Sequence, residues 1–414
     1  MATRAAMHRS GAAVLTQLLN RSQPAEREVA CGCGQRARYH QLRPKQLLTA
    51  VGRVHIERPY YLCAHCQQGH SPRDRQLDVE GTQCSPAVRR MMALLGSETS
   101  FDHGRQQLHL LAGLEVTAKA VERHAEAIGA DLARREQHKV DRAVQLELPA
   151  ILGKPVPRLY IQIDGTGVPM VRAETAARCG KIQGQPARRR EVKLGCVFTQ
   201  TRYDEQGRPL RDEASTTYVG AIETAAEFGR RIYTEAWERG WSRAQQKVLL
   251  GDGAAWIWNL AHQHFPAVIE IVDIWHAREH LWMLGAKLYP ADDQQRRRWV
   301  HKMIRKLDAG RIESLGNELR AFPTRQTELR DLLTTAADYF ERNRDRMRYP
   351  AFRKQGLFIG SGVIEAACKT VIAARLKQSG MFWTLRGANA IIALRCNRLS
   401  GKFEDYWETR ARAA

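Results

Sequence analysis

Three short segments constrain the fold more than anything else in the chain. Leu159 to Gly165 (LYIQIDG) and Val248 to Gly253 (VLLGDG) are apolar runs that end on a carboxylate followed by glycine. Gly360 to Glu365 (GSGVIE) is a glycine turn that opens a helix and puts a glutamate in its first turn. Apolar runs of this length, bounded by Asp-Gly, read as buried strands of a sheet. Asp164, Asp252 and Glu365 thus come from distant parts of the chain and can converge at one sheet end. Hard divalent cations take oxygen ligands, and a carboxylate pair bridging two of them suits phosphodiester chemistry. Each acid also has a plain structural reading. Asp-Gly after a strand makes a turn, and a first-turn glutamate complements the helix dipole.

The order of elements extends this. Pro155 and Pro157 punctuate a boundary, and strand-like stretches follow at 158–164, 191–200 and 214–219. A helix is expected at about 222–239, a strand at 246–251, a helix at 254–264, a strand at 267–272 and a helix at 275–288. The first three strands can pair as an antiparallel meander, whereas the last two need crossover helices and are expected to be parallel. That is the mixed α/β sheet of an RNase-H-like core. Residues 292–348 read as helical, polar and arginine-rich, and 361–400 as two helices around a break at Ser379-Gly380.

Charge indicates the partner. The 414 residues carry 65 Lys and Arg against 44 Asp and Glu, a net charge of +21. Such an excess favours a polyanion, most commonly nucleic acid. Basic clusters stand at Arg188 to Arg190, at Arg296, Arg297 and Arg298, and from Arg342 to Arg348. No apolar run approaches the roughly 20 residues of a membrane span. The first residues lack a sustained apolar signal core, so a cytoplasmic, nucleoid-associated prokaryotic protein is expected.

Four of the nine cysteines cluster early, as Cys31-Gly-Cys33 and Cys63-Ala-His-Cys66. Closely spaced thiolate pairs can close a tetrahedral zinc site. The stretch between them, Leu47 to Tyr61, alternates like a hairpin, so the pattern is that of a zinc ribbon holding one structural Zn²⁺. Further on, Phe101, Leu108, Leu111 and Leu114 mark an apolar helix. A glycine turn at Gly113 and a second helix from Thr117 follow, which fits a helix-turn-helix. Its second helix offers Lys119, Arg123 and His124 outward to DNA; a plain helical bundle fits the same pattern.

His276 to His280 (HAREH) fits H-x-x-E-H, an inverted zinc-peptidase signature in which both histidines share a helix face. Glu365 could be a third ligand. A peptidase leaves the charge and the acids at 164 and 252 without a role. His276 is otherwise a helix-packing residue or a hydrogen-bond partner beside the acids.

Residues 161–400 resemble DDE-type transposases of the ISKra insertion-sequence family, within the wider Mutator-like group. The segments that carry the resemblance are Ile163 to Met170, Arg190 to Gln200, Ser215 to Gly220, Leu250 to Asn259, Ile271 to His280, and Ile359 to Glu365 with Arg375 to Gly380. The resemblance implies that Asp164, Asp252 and Glu365 form a metal-binding catalytic triad for two Mg²⁺ or Mn²⁺ ions. It also implies a helical insertion between the last two acids, here 365 − 252 = 113 positions apart. Asp273 and His276 match an Asp-x-x-His signature of the wider group. Lys369, Arg375 and Lys377 follow Glu365 and suit phosphate contacts along one groove.

The expected organisation is an N-terminal helical segment (1–30), a zinc ribbon (31–80) and a helix-turn-helix-like DNA-binding region (85–150). The first part of the RNase-H-like core (156–290), a helical insertion (291–350) and the last part of the core (356–402) follow. The expected activity is two-metal-ion strand cleavage and strand transfer on double-stranded DNA by a homo-oligomer. The alternatives are a DNA-binding relative without chemistry, a nuclease without strand transfer, and the metallopeptidase.

Overall fold

A computed structural model describes residues 2–21, 26–176, 178–180 and 187–413. Residues 22–25 of the expected N-terminal segment lie outside the described residues. The chain divides into two units, residues 1–131 with 402–414, and residues 132–401.

The first unit is built on a four-stranded antiparallel sheet in the order β1 (Glu28–Ala30), β2 (Arg36–Thr49), β3 (Gly52–Leu62) and β4 (Gly69–His70). The long β2–β3 ribbon closes on a two-residue turn between Thr49 and Gly52, which takes a φ of 108° that glycine tolerates. Helix α1 (Ala2–Leu19) lays Ala12, Leu15 and Leu19 on a core of Leu47, Val54, Ile56 and Val79. The short α2 (Pro72–Gln76) precedes α3 (Pro86–Glu98), α4 (Phe101–Gln107) and α5 (Ala118–Val144). Val88, Met92 and Val121 from these helices, with Leu108 and Leu114 from the link between α4 and α5, pack on Leu48. The C-terminal helix Phe403–Ala413 is fastened by Arg410, whose guanidinium grips both Asp78 oxygens at 2.6 and 2.8 Å.

The division between the two units falls at 131/132, inside α5 and two residues after Gly129.

The second unit carries a five-stranded mixed sheet. Its strands are β5 (Val156–Pro169), β6 (Arg189–Gln200), β9 (Thr217–Ala221), β10 (Ala244–Gly251) and β11 (Ile269–Val272), with β7 (Arg202–Tyr203) and β8 (Pro209–Leu210) forming a separate small hairpin. The spatial order is β11-β10-β5-β6-β9. β5 and β6, and β6 and β9, pair antiparallel; β10 lies parallel to both β5 and β11. The meander followed by two parallel strands expected from the sequence is therefore present; β5 runs on to Pro169 and does not end at Asp164, which lies within it, whereas Asp252 directly follows the neighbouring β10. Leu159, Ile161, Val192, Leu194, Phe198 and Leu249 are fully buried, as continuous apolar strands covered on both faces must be. Helix α6 (Ala225–Glu238) packs so closely that a Cβ at Gly195 would meet Ile232 at 2.7 Å.

Helices α7 (Ala255–His264) and α8 (Ile274–Leu288) follow β10 and β11. Then comes a helical stretch of α9 (Asp293–Asp308), α10 (Ile312–Arg320), α11 (Thr327–Arg342) and α12 (Tyr349–Lys354), packed through Val300, Met303, Leu315, Ala337 and Phe340. The chain returns to the sheet as α13 (Gly362–Ala367), a π turn over Cys368–Ala373 and α14 (Ala374–Leu376), and ends this unit with α15 (Leu385–Leu399) against β9. No described helix is long and apolar enough to cross a membrane.

Candidate active site

Asp164, Asp252 and Glu365 line one open cleft of about 770 Å³, together with Asp273, His276 and Ser361. The cleft lies where β10 ends and β5 runs on beyond its pairing with β10, beside the starts of α8 and α13. Asp164 is half-buried; its Oδ1 accepts the Gly165 N–H at 2.7 Å and its Oδ2 accepts the Cys368 thiol at 3.3 Å. Burial raises its carboxyl above the ordinary range, and the Asp252 charge adds to the rise. Asp252 accepts the Ala254 N–H at 2.8 Å, and Glu365 accepts the Ser361 hydroxyl at 2.9 Å. Two carboxylates that repel each other in a half-dry cleft are a donor set suited to a hard cation.

Two buried polar residues hold the Gly360 turn in place: Gln162, which nothing in the sequence singled out, and Asp273 of the Asp-x-x-His signature. Gln162, fully buried on β5, donates to Gly360 O at 3.2 Å and accepts the Ile364 N–H at 3.0 Å. Asp273, also buried, caps α8 by accepting the Trp275 and His276 N–H groups at 3.2 and 3.1 Å, and accepts the Ser361 N–H at 3.1 Å. Asp273 is thus spent on backbone donors of two elements. Cys368, one turn after Glu365, is a second residue that nothing in the sequence singled out. The π turn that starts there is a form enriched at functional sites.

His276 lines the cleft half-buried, and its Nε2 lies 3.2 Å from that of His280. Burial lowers the His280 pKa, and His276 lowers it further. Tyr339 of α11 stacks on His280 with centroids 4.4 Å apart and donates its hydroxyl to Asp252 O at 3.1 Å. The helical stretch after α8 therefore touches the Asp252 turn directly. Among the described residues, the one group of three or more His, Cys, Asp or Glu side chains spaced to hold a metal is the early cysteine cluster. By the same measure neither the histidine pair with Glu365 nor the three acids Asp164, Asp252 and Glu365 stand close enough together to form a closed metal site as they lie.

The four thiols of Cys31, Cys33, Cys63 and Cys66 all lie within 4.8 Å of one another. Cys31 to Cys66 is 3.6 Å and Cys33 to Cys63 is 3.7 Å. Zinc–sulfur bonds of about 2.3 Å arranged tetrahedrally put the sulfurs about 3.8 Å apart, so these residues could hold a zinc ion. The Cys63 thiol is lowered to about 6, chiefly by the Cys66 backbone N–H, whereas desolvation and the neighbouring thiols push Cys33 up to about 12 and Cys66 also upward, so in the absence of a metal the cluster favours one thiolate and not four.

The residues expected at DNA fare differently. Lys119 and Arg123 are exposed on α5, with Lys119 bonded to Glu122 at 2.6 Å. His124 does not face outward: it is 8% exposed, and burial lowers its pKa to about 4. Leu111 is 75% exposed because the π turn Leu108–Ala112 is wider than an α-turn and shifts it off the apolar face. Arg375 is fully buried under Trp383, with its guanidinium 5.0 Å from that ring, so it is a core residue and not a groove contact. Lys377 is half-buried and donates to Thr166, whereas Lys369 is exposed. Arg296 and Arg297 both pair with Asp293, the latter at 2.7 Å, and Arg298 is exposed.

No protein-family model and no curated protein matches the chain. Among solved structures it is similar to the Drosophila P element transposase strand transfer complex, with a TM-score of 0.27 and 8% identity over 81% of this chain and 84% of that one. At that score the likeness decides neither fold nor activity.

Proposed function

We propose that the chain is a DDE-type transposase of the ISKra kind, with an RNase-H-like core in residues 156–290 and 356–402, that cleaves and joins DNA strands. The observation that carries this reading is the presence of Asp164, Asp252 and Glu365, from three separate elements, along one cleft at the end of a mixed sheet. Of the segments resembling that family, those at 163–170, 250–259, 271–280 and 359–365 contribute residues to the cleft.

In this reading Asp164, Asp252 and Glu365 hold two Mg²⁺ or Mn²⁺ ions. Bound there, such ions supply Lewis-acid stabilisation of the attacking and leaving oxygens of a phosphodiester. Gln162 and Asp273 keep the Glu365 turn fixed against the strand that carries Asp164. Tyr339 fixes the Asp252 turn from the other side. His276, half-buried at the cleft wall, is placed as a proton or hydrogen-bond partner. The exposed Lys119, Arg123, Lys369 and Arg298 supply positive charge for the DNA backbone.

The test is incubation of the full-length protein with Mg²⁺ and duplex DNA carrying the ends that flank its own coding segment. Cutting at those ends and joining of the released 3′ ends to a second duplex is expected. Absence of cutting with both Mg²⁺ and Mn²⁺ contradicts the reading.

A further inference from the structure

We infer that Trp275 forms a shelf at the cleft mouth that stacks an unpaired nucleobase, so that the site takes DNA with a base out of the helix; this rests on the reading of the cleft as a DNA-processing site. A tryptophan in the first turn of a helix that packs beside a sheet is expected to be covered. Trp275 is instead 60% exposed and lines the same cleft as the three acids.

Its setting is built and not loose. The Arg278 guanidinium lies over the ring, 4.7 Å from its centroid, and is itself held by Asp308 at 2.6 and 3.3 Å. The backbone N–H of Trp275 is tied to Asp273 at 3.2 Å. A Cβ at Gly360 would come within 3.1 Å of the indole nitrogen, so a glycine there lets the ring sit close to the turn that leads to Glu365. Two turns further along α8, Trp282 also lines the cleft at 37% exposure, edge-on to His301 with centroids 5.7 Å apart.

The chemistry around the ring selects the ligand. Without a bound metal, the acids of the cleft that Trp275 lines, Asp164, Asp252, Asp273, Glu279 and Glu365, outnumber the one guanidinium, Arg278, whose charge is already paired with Asp308, so a bare phosphate is repelled. A flat neutral ring among them suits the flat neutral face of a base, and stacking of this kind tolerates any base. A base inside a duplex has both faces covered, so only one that has left the stack can use the shelf.

The test uses the full-length protein in Ca²⁺ and two duplexes that differ at one position: 2-aminopurine paired with thymine, or 2-aminopurine opposite an abasic site. Wild type is expected to bind the unpaired duplex about tenfold more tightly or better, the low-to-middle range for one stacked base, and to quench its fluorescence. Trp275→Ala is expected to remove that preference while the paired duplex binds as before, and Trp275→Phe to restore most of it. Equal binding of the two duplexes by wild type, or a preference unchanged in Trp275→Ala, overturns the shelf. Cleavage assayed on the same duplexes in Mg²⁺ separates the two claims. A Trp275-dependent preference without cleavage leaves the shelf standing and the catalytic reading fallen. Cleavage without that preference does the reverse.

Discussion

The Gln162 side chain bridges both ends of the turn that precedes Glu365, accepting from Ile364 N at 3.0 Å and donating to Gly360 O at 3.2 Å. Gln162 lies two residues before Asp164, so both side chains leave the same face of β5. One amide therefore sets the position of the third acid relative to the first. A buried glutamine in an otherwise apolar strand is costly unless its groups are paired, and here both are.

Replacing Gln162 with Leu leaves the Ile364 N–H and the Gly360 carbonyl unpaired. The expected loss is about 1–3 kcal/mol of stability, measurable by urea denaturation. The expected loss of Mg²⁺-dependent cleavage is larger, on the order of 100-fold, because the turn that carries Glu365 loses its anchor. Full cleavage by a folded Gln162→Leu protein removes the positioning role.

The cysteine cluster is expected to hold one zinc per chain. Small modules of this kind draw folding energy from the metal, and the core beneath it is only Ala37, Tyr61 and Cys63 with a few partly buried neighbours. Cys63→Ser is expected to abolish zinc in elemental analysis and to raise hydrogen exchange across β1–β4 far more than across β5–β11. Freshly purified protein without zinc contradicts this.

His124 makes the first unit acid-sensitive. Its folded pKa is about 4, held down chiefly by burial, against 6.5 ordinarily. The folded state therefore binds fewer protons than the unfolded state between those values. Its contribution is complete above pH 6.5 and is lost as pH falls toward 4, to the extent of a few kcal/mol. Hydrogen exchange of residues 86–131 is expected to accelerate over that window in wild type and to change less in His124→Gln. Equal acid sensitivity in the two proteins contradicts this.

The strand–acid segments were legible because their signal is local: an apolar run, an acid and a glycine. The same holds for the thiolate pairs and for residues 292–348, read as helical and occupied by α9, α10 and α11, with α12 extending the stretch to Lys354. What was not legible depended on tertiary placement. Arg375 and Lys369 look alike in sequence, but Lys369, inside the π turn, is exposed, and Arg375, just after it, is in the core. Gln162 and Cys368 look like ordinary residues until the fold brings strand and helix together. His124 shares its helix with Lys119 and Arg123, and only the core formed by α3 and α5 decides which face is covered.

The most direct test of the catalytic reading is strand cleavage by Asp164→Asn, Asp252→Asn and Glu365→Gln, each checked for wild-type-like circular dichroism and DNA affinity. These changes remove charge and keep side-chain size, so folding and binding are expected to persist while Mg²⁺-dependent cleavage drops to background in all three. Wild-type-like turnover in any one of them, with the protein folded and bound to DNA, contradicts the assignment of that acid and with it the three-carboxylate site.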